Sequence, residues 1–449
     1  MATTEETERR GDPDEVLRRV IDEKIPFVRF WFTDVLGILK SFAIPSEELE
    51  GVFDKGKGFD GSSIDGFNEI HESDMNAMPD ASTFAVLPWR REHAVGRMFC
   101  DILNPDGSSY EGDPRFVMRR ALGRMEEMGF DTFNLGPECE FFLFKDDKGT
   151  EVLDKGGYFD LTTLDVASDF RRDVFFALKE LGIHVEYQHH EVGPSQHEID
   201  MRYADGLTMS DHVMTYKTAV KEVAMEHGYY ATFMPKPLFG ENGSGMHTHM
   251  SLFQGGQNAF FDADDQWFLS DVAKQFIAGL LVHAREISAL FAPLVNSYKR
   301  LVPDYEAPVY LAWSQRNRSA LVRVPTYEPG EEKATRAELR CPDPSCNPYL
   351  AFGAMLHAGL EGIERGYELP TPMERNLYHM SEAEREENII GNLPQSLGEA
   401  IEEMENSALV RKALGDHVFE NYIALKKEEW EDYRVQVTPW EFERYLAVT

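Results

Sequence analysis

"GPECEFFLF", Gly136 to Phe144, is the stretch on which the reading of this chain turns. A Gly-Pro turn precedes a short, aromatic-rich run, and Lys-Asp-Asp-Lys-Gly follows it, so the run predicts a β-strand. Residues two apart on a strand share a face. Glu138 and Glu140 are therefore expected side by side, roughly 7 Å apart along the strand, with Cys139 and Phe141 facing the other way. Adjacent carboxylates repel and need a cation, a shared proton or water. A solvated edge face would also satisfy this pair taken alone.

The pattern recurs. "HHEVGPSQHEID" places His189 and Glu191 two apart, then Glu198 and Asp200 two apart after a Gly-Pro turn. "NGSGMHTHMSLF" sets His247 and His249 opposite Met246, Thr248 and Met250, and "TRAELRC" sets Arg336, Glu338 and Arg340 opposite Ala337, Leu339 and Cys341. Four strand-like segments, each with one ionisable face, predict a sheet with one apolar side and one side lining a polar cavity. Glu138, Glu140, Glu191, Glu198 and Glu338 carry too much charge to share a cleft without cations. Mostly oxygen ligands with one imidazole, from His247 or His249, suit Mg²⁺ or Mn²⁺ better than zinc. No pair has the His-Glu-x-x-His spacing of a zinc protease.

Arginines balance these carboxylates. Arg300, Arg316, Arg318, Arg323 and Arg340 offer planar forks for phosphate or carboxylate oxygens, although each one alone is as well explained by a surface salt bridge. Divalent cations with several arginines are the equipment of phosphoryl transfer. Arg318 and Arg323 have opposite strand parity, so a bulge or turn must intervene if both point inward. No P-loop motif is present. "GENGSGMH" is Gly-rich but lacks the lysine and the helix; its backbone suits a substrate carboxylate beside His247. "FDGSSIDGF" (59–67) reads as an exposed turn and "LVPDYEAP" (301–308) as a stiff surface loop.

Composition bounds the rest. A chain of 449 residues with 42% hydrophobic content has ample core for two or three domains. It has no apolar run of membrane-spanning length, and its polar, acidic start resembles neither a signal nor a transit peptide. Four cysteines make no disulfide framework, and a reduced, cytoplasmic protein is expected. With 79 Asp and Glu against 45 Lys and Arg, the net charge is −34, which argues against nucleic acid and anionic membranes as partners. Arg (28) outnumbers Lys (17). Acid excess with little Lys suits an ordinary acidic cytosolic protein but favours a halophilic surface, because in molar salt the Debye length falls to about 3 Å and self-repulsion is screened.

Along the chain, residues 14–24 read as a helix, and "PFVRFWFTDVLGILKSFAIP" as a hairpin turning at Asp34–Gly37. "FAVLPW" and "GRMFCDIL" read as strands. "NPDGSSYEGDPRF" is a turn-rich linker in which Asp113-Pro114 signals a helix N-cap. The expected boundary separates residues 1–108 from 109–449. From about 372 the chain reads as charged and helical, with "EEMENSALVRKALGDHVFENYIALKKEEWEDY" the longest such run.

"FDGSSI", "GPECEFFLF", "GGYFD", "HHEVGPSQHEID", "NGSGMHTHMSLF", "NSYKRLVPDYEAPV", "RNRSALVRVP" and "RAELRCPDPSCNPYLAF" occur in one order and spacing, and through them the chain resembles class I of the glutamine synthetase family. The resemblance implies an α+β fold: a small N-terminal β-grasp domain and a large α/β catalytic domain whose curved antiparallel sheet forms an active-site funnel. It implies ATP-dependent ligation of ammonium to the γ-carboxylate of L-glutamate through γ-glutamyl phosphate. It also implies two to three Mg²⁺ or Mn²⁺ per site, with ATP as substrate. A homo-oligomer follows, a dodecamer of two hexameric rings with sites between subunits, and a nitrogen-regulatory protein is a further partner.

The implied roles are specific. Glu140, Glu191 and Glu198 match the ligands of the tighter metal, and Glu138, His247 and Glu338 those of the metal carried with ATP. Glu186, His249 and Ser251 match nucleotide contacts, and Arg323 and Lys333 the ATP-phosphate positions. Asn242, Gly243, His247 and Arg300 match positions around glutamate, and Arg318 and Arg340 positions near glutamate and the transferred phosphate. Asp60, from the neighbouring subunit, matches the residue that helps deprotonate ammonium, with Ser63, Tyr158, Glu191 and Glu306 completing that pocket. Glu306 sits on the family's closing flap.

Two departures carry expectations. The length fits the shorter branch, and "NLYHMSEAE" lacks the Pro-containing context of an adenylylated tyrosine, so Tyr378 is expected unmodified. Glu69 stands where an arginine is expected to mediate glutamine feedback, so altered feedback is expected. The competing readings are a γ-glutamyl-polyamine or other amine ligase, a non-catalytic scaffolding homologue, and a metal-dependent phosphohydrolase. Retention of Asp60, Ser63, Tyr158 and the metal ligands favours the ammonium ligase.

Overall fold

A computed structural model describes residues 11–62, 64, 66, 74–90, 92–303 and 307–449. Ser63, Glu69 and Glu306 lie outside them.

The first sheet is built from β1 (Phe27–Thr33), β2 (Leu39–Pro45), β3 (Lys57–Asp60), β4 (Asp74–Pro79), β5 (Ala85–Val86) and β6 (Val95–Leu103). Its order is β2-β1-β6-β4-β3, with β5 beside β6. β1 and β2 form the expected hairpin, where Asp34 Oδ1 accepts the Ile38 N–H at 2.8 Å. β1 runs parallel to β6, the central strand, which is buried along its whole length. Two cores explain that burial. Val28, Phe30, Phe32, Met98 and Cys100 pack with Leu49 and Val52 of the helix Leu49–Lys55, while Trp31 and Phe99 join the core of the larger unit. "FAVLPW" yields only Ala85–Val86 as strand. Pro88 has no N–H to continue the ladder.

The second sheet contains β7 (Thr132–Phe144), β8 (Val185–His190), β9 (Gln196–Met201), β10 (Ala204–Asp205), β11 (Tyr230–Thr232), β12 (Met246–Gln254), β13 (Gln257–Asn258), β14 (Tyr310–Ser314), β15 (Ala320–Arg323) and β16 (Ala337–Leu339). Its order is β14-β15-β16-β12-β7-β9-β8. Its pairs are antiparallel except β14 with β15, which run parallel. β7 is long because its apolar face, Cys139, Phe141 and Leu143, is fully buried. The helices Ser168–Glu180, Gly206–Glu226, Asp271–Phe291 and Pro348–Arg365 contribute to the same core. The C-terminal run expected as one helical stretch is divided into Leu397–Glu405, Ala408–Leu414 and Asp416–Arg434. Ser407 caps the second helix, and Gly415, at φ 75°, separates the second from the third. No described helix is long and apolar enough to cross a membrane.

The helix Pro114–Glu127 starts as expected, with the Asp113 side chain accepting the Arg115 N–H at 3.0 Å and Pro114 at the first position. Arg115 then joins the first sheet to the helix Gly206–Glu226, whose Tyr216 hydroxyl donates to Cys139 O of β7. Its guanidinium, 3% exposed, pairs with Asp101 of β6 at 2.5 Å, Asp80 at 2.7 Å and Asp211 of the helix Gly206–Glu226 at 2.9 Å. Removing one partner of a buried network strands the others, at about 3–5 kcal/mol. Arg115→Ala is therefore expected to lower the unfolding free energy read from denaturant curves by that much, whereas Arg172→Ala, whose pairs are exposed, should change it by at most about 1 kcal/mol. Equal midpoints would refute the role given to the buried network.

Candidate active site

The register of β7, β12 and β16 assembles the polar face. His247 lies opposite Glu138, and His249 opposite Glu338. The Glu138 carboxylate accepts a hydrogen bond from each of two imidazoles, His247 Nδ1 at 3.0 Å and His249 Nε2 at 2.7 Å. Arg336 Nε donates to His249 Nδ1 at 3.1 Å, which fixes that tautomer. Burial opposes the Glu138 charge, but these hydrogen bonds win and hold its carboxyl well below the usual range. Glu338 is fully buried and bonded by Arg323 Nε and Arg340 Nη1. Against the cost of burial, His249, Arg340 and His247 keep it ionised, with its pKa lowered. Arg323 ends β15 and Arg318 lies in the turn before it, the interruption that their parity required.

The second group is less well compensated. Glu140 and Glu198 face each other across β7 and β9. Burial, then Glu191, pushes Glu140 well above the carboxylate range; burial, then Asp200 and Glu140, does the same to Glu198. Asp200 is raised to about 6, by burial and then Glu138. Glu140 Oε2 accepts from Gln196 Nε2 at 2.9 Å and Gly245 N–H at 3.0 Å. Glu191 lies just past β8, where Oε1 pairs with His189 Nε2 at 2.8 Å.

Both groups fit a hard divalent cation. Glu138, His247 and Glu338 offer ligand-type atoms within 4.8 Å of one another, as do His189, Glu191 and Glu198. His189 Nδ1 and Asp200 Oδ1 are buried without a hydrogen-bond partner. Glu140 flanks the second set. His189 was missed from the sequence as a ligand-type group, although its spacing from Glu191 was visible.

Two recesses adjoin these groups. A cleft of about 290 Å³ is lined by Glu138, Glu186, His249, Ser251, Lys333, Arg336 and, beyond the sequence reading, Tyr203. A smaller one is lined by Glu140, Glu191, Asn242, Gly243, His247, Arg300 and Arg340. The glycines of "NGSG" admit Arg300: a Cβ on Gly245 would sit 2.5 Å from its Nη2, and one on Gly243 2.9 Å from its Cγ. Arg300 is spent on backbone, donating to Cys341 O at 2.8 Å, Pro342 O at 3.1 Å and Arg340 O at 3.2 Å. A cavity of about 830 Å³ lies elsewhere, around Arg115 and Arg119, which already pair with aspartates on its walls.

Tyr158 stands at the rim, 47% exposed, its ring edge-on to His189. Arg318 is exposed. Asp60 is not brought to this face. It ends β3 in the other sheet, exposed, and its hydrogen bonds from the Ser62 hydroxyl and then the Ser62 N–H, at 2.9 Å, lower its pKa.

Residues 24–105 match the family model described as glutamine synthetase, beta-Grasp domain, and residues 111–445 the one described as glutamine synthetase, catalytic domain. The chain is 53% identical over 440 residues to the glutamine synthetase of Methanosarcina mazei, covering 97% of this chain and 98% of that one. It is 49% identical over 441 residues to that of Thermus thermophilus, covering 96% and 98%. Among solved structures, a GmaS/ADP complex superposes with TM-score 0.88 at 30% identity, covering 96% of this chain and 99% of that one. The Plasmodium falciparum glutamine synthetase gives 0.88 at 25%, covering 97% and 99%.

The raised Glu198 carboxyl makes a thermal prediction. Glu198→Gln removes a charge crowded by Asp200 and Glu140, so the metal-free variant should melt above the metal-free wild type at pH 7. Mn²⁺ should raise the wild-type Tm and move the variant less. Differential scanning fluorimetry reads both; an equal Mn²⁺ response would remove Glu198 from the ligands.

Proposed function

Because the chain belongs to the glutamine synthetase family, we propose that the polar face of its larger sheet joins ammonium to the γ-carboxylate of L-glutamate with ATP, giving L-glutamine, ADP and phosphate. The observation that carries this reading is the register placing Glu138–His247–Glu338 near Glu191–Glu198, with one recess on each side.

In the first step a glutamate carboxylate oxygen attacks the γ-phosphorus of ATP and ADP leaves. In the second, ammonia attacks the acyl carbon of γ-glutamyl phosphate and phosphate leaves. Bound Mg²⁺ or Mn²⁺, two to three per site, would neutralise phosphate charge, one held by Glu140, Glu191 and Glu198 and another by Glu138, His247 and Glu338. Glu186, His249 and Ser251 bind the nucleotide, with Tyr203 and Arg336 flanking its base, and Arg323 and Lys333 take its phosphates. Asn242, Gly243, His247 and Arg300 shape the glutamate recess, Arg300 through the backbone it braces. Arg318 and Arg340 meet the transferring phosphoryl group.

Ammonium is bound as a cation and must lose a proton before it attacks. Asp60 takes that proton, with Ser63, Tyr158, Glu191 and Glu306 around it. Asp60 stands on the other sheet of its own chain, which supports its delivery by a neighbouring subunit in two hexameric rings. We place the protein in the cytoplasm, in the shorter class I branch, on a halophilic surface, with its domains meeting at residues 108 and 109. A nitrogen-regulatory protein is a further partner of such an enzyme. Tyr378 is unmodified in this reading: it is half-buried, and its hydroxyl donates to Ala307 O at 2.9 Å.

Phosphate release from MgATP and glutamate is expected to depend strictly on ammonium and to form glutamine. Activity should rise from low salt to about 2–3 M KCl, where surface charge is fully screened. Turnover with a polyamine in place of ammonium would move the assignment to an amine ligase, and no turnover with either metal to a scaffold. An intact mass without a nucleotide adduct is expected for protein from its own host.

A further inference from the structure

Behind Glu191 lies a buried cluster that the reaction does not use. Asp154, with 3% of its side chain exposed, accepts from four groups. Its Oδ1 takes His190 Nε2 at 3.0 Å, the Ser195 N–H at 3.0 Å and the Gly156 N–H at 3.3 Å; its Oδ2 takes the Val166 N–H at 3.3 Å. Ser195, in a left-handed conformation at φ 58°, answers with its own hydroxyl oxygen, which accepts the Leu153 N–H at 2.6 Å and the Asp154 N–H at 3.2 Å. The two segments clasp each other reciprocally.

Three arms run from this clasp to groups assigned above. His190, held by Asp154 through Nε2, donates Nδ1–H to the Glu191 carbonyl at 2.7 Å and fixes the backbone that carries that carboxylate. The turn that begins beyond Glu191 returns through Gln196, whose carbonyl takes the Glu191 N–H at 2.8 Å and whose amide reaches Glu140 at 2.9 Å. The segment after Asp154 carries Tyr158, and the Phe159 N–H donates to the His190 carbonyl at 3.1 Å. Rotation of His190 would therefore move Glu191 and Tyr158 together.

Asp154, His190 and His197 also present ligand-type atoms within 4.8 Å of one another. They do not make a cation site. Arg171 Nη1 donates to His197 Nδ1 at 2.9 Å, so the proton of a neutral His197 sits on Nε2, which then has no lone pair to offer, and the guanidinium adds positive charge. The cluster is a hydrogen-bonded lock.

We propose that Asp154 is a positioning residue that holds Glu191 and the Tyr158 loop in register, and so sets both the affinity of the adjoining metal site and the capture of ammonium. This rests on the functional reading above. Residues behind metal ligands typically cost about 10–100-fold in affinity when changed.

The test compares full-length wild type, Asp154→Asn and Gly156→Ala with Val220→Ala. Val220 is a fully buried core residue of the helix Gly206–Glu226, and its variant controls for lost stability. Gly156→Ala acts on the same lock from outside, since its Cβ would lie 2.7 Å from His190 Nε2; it decides the matter if Asp154→Asn does not fold. Calorimetric titration with Mn²⁺ alone needs no turnover. The tighter site is expected to weaken about 10-fold or more in both lock variants and not in Val220→Ala. KM for ammonium should rise at least about 10-fold while KM for ATP stays within about twofold. Unchanged Mn²⁺ affinity in a folded lock variant, or an equal loss in Val220→Ala, overturns the proposal. A wild type that forms no glutamine overturns the functional reading instead, and the Mn²⁺ titration still decides on Asp154.

Discussion

Carboxylates gathered on one side of a sheet repel through a medium that screens poorly, and the arrangement of this molecule is governed by how that repulsion is met. On the β12 and β16 side it is met by the protein: two imidazoles on Glu138, two guanidinium groups on Glu338. On the β9 side it is not, and Glu140 and Glu198 are driven toward protonation. The asymmetry is physical. Charges matched by fixed side chains survive without a ligand, whereas charges left unmatched create demand for one. A single strand, β7, carries a member of each group two residues apart.

That division also orders the two recesses. The compensated group borders the cleft assigned to the nucleotide, where Arg336 is oriented by its hydrogen bond to His249. The uncompensated group borders the rim where a small cation would arrive.

Much of this was legible in the sequence because strand periodicity is local. The faces of Glu138, Glu140, His247, His249 and Glu338 follow from alternation alone, as does the interruption between Arg318 and Arg323. What was not legible depends on packing across distant segments. Nothing local says that Arg300 would be enclosed by the "NGSG" glycines, that Gln196 would hold Glu140, or that Tyr203 would wall the cleft. "FAVLPW" looked like a strand by composition and lost its ladder to a proline. The C-terminal helical run was broken by a capping serine and by a glycine in a left-handed conformation, features that a charge pattern does not register.

The Arg115 junction has a consequence for where such a molecule can live. Mobile ions weaken attractions only where they can reach, and the groups joining Arg115 to Asp80, Asp101 and Asp211 are shut away from them. The fastening between the first sheet and the helix Gly206–Glu226 is thus indifferent to the salt concentration outside. Exposed pairs such as Arg172 with Asp169 fade as salt rises. A lineage carrying this hinge could acquire or shed an acidic coat, moving between fresh and saline habitats, without re-engineering the geometry within.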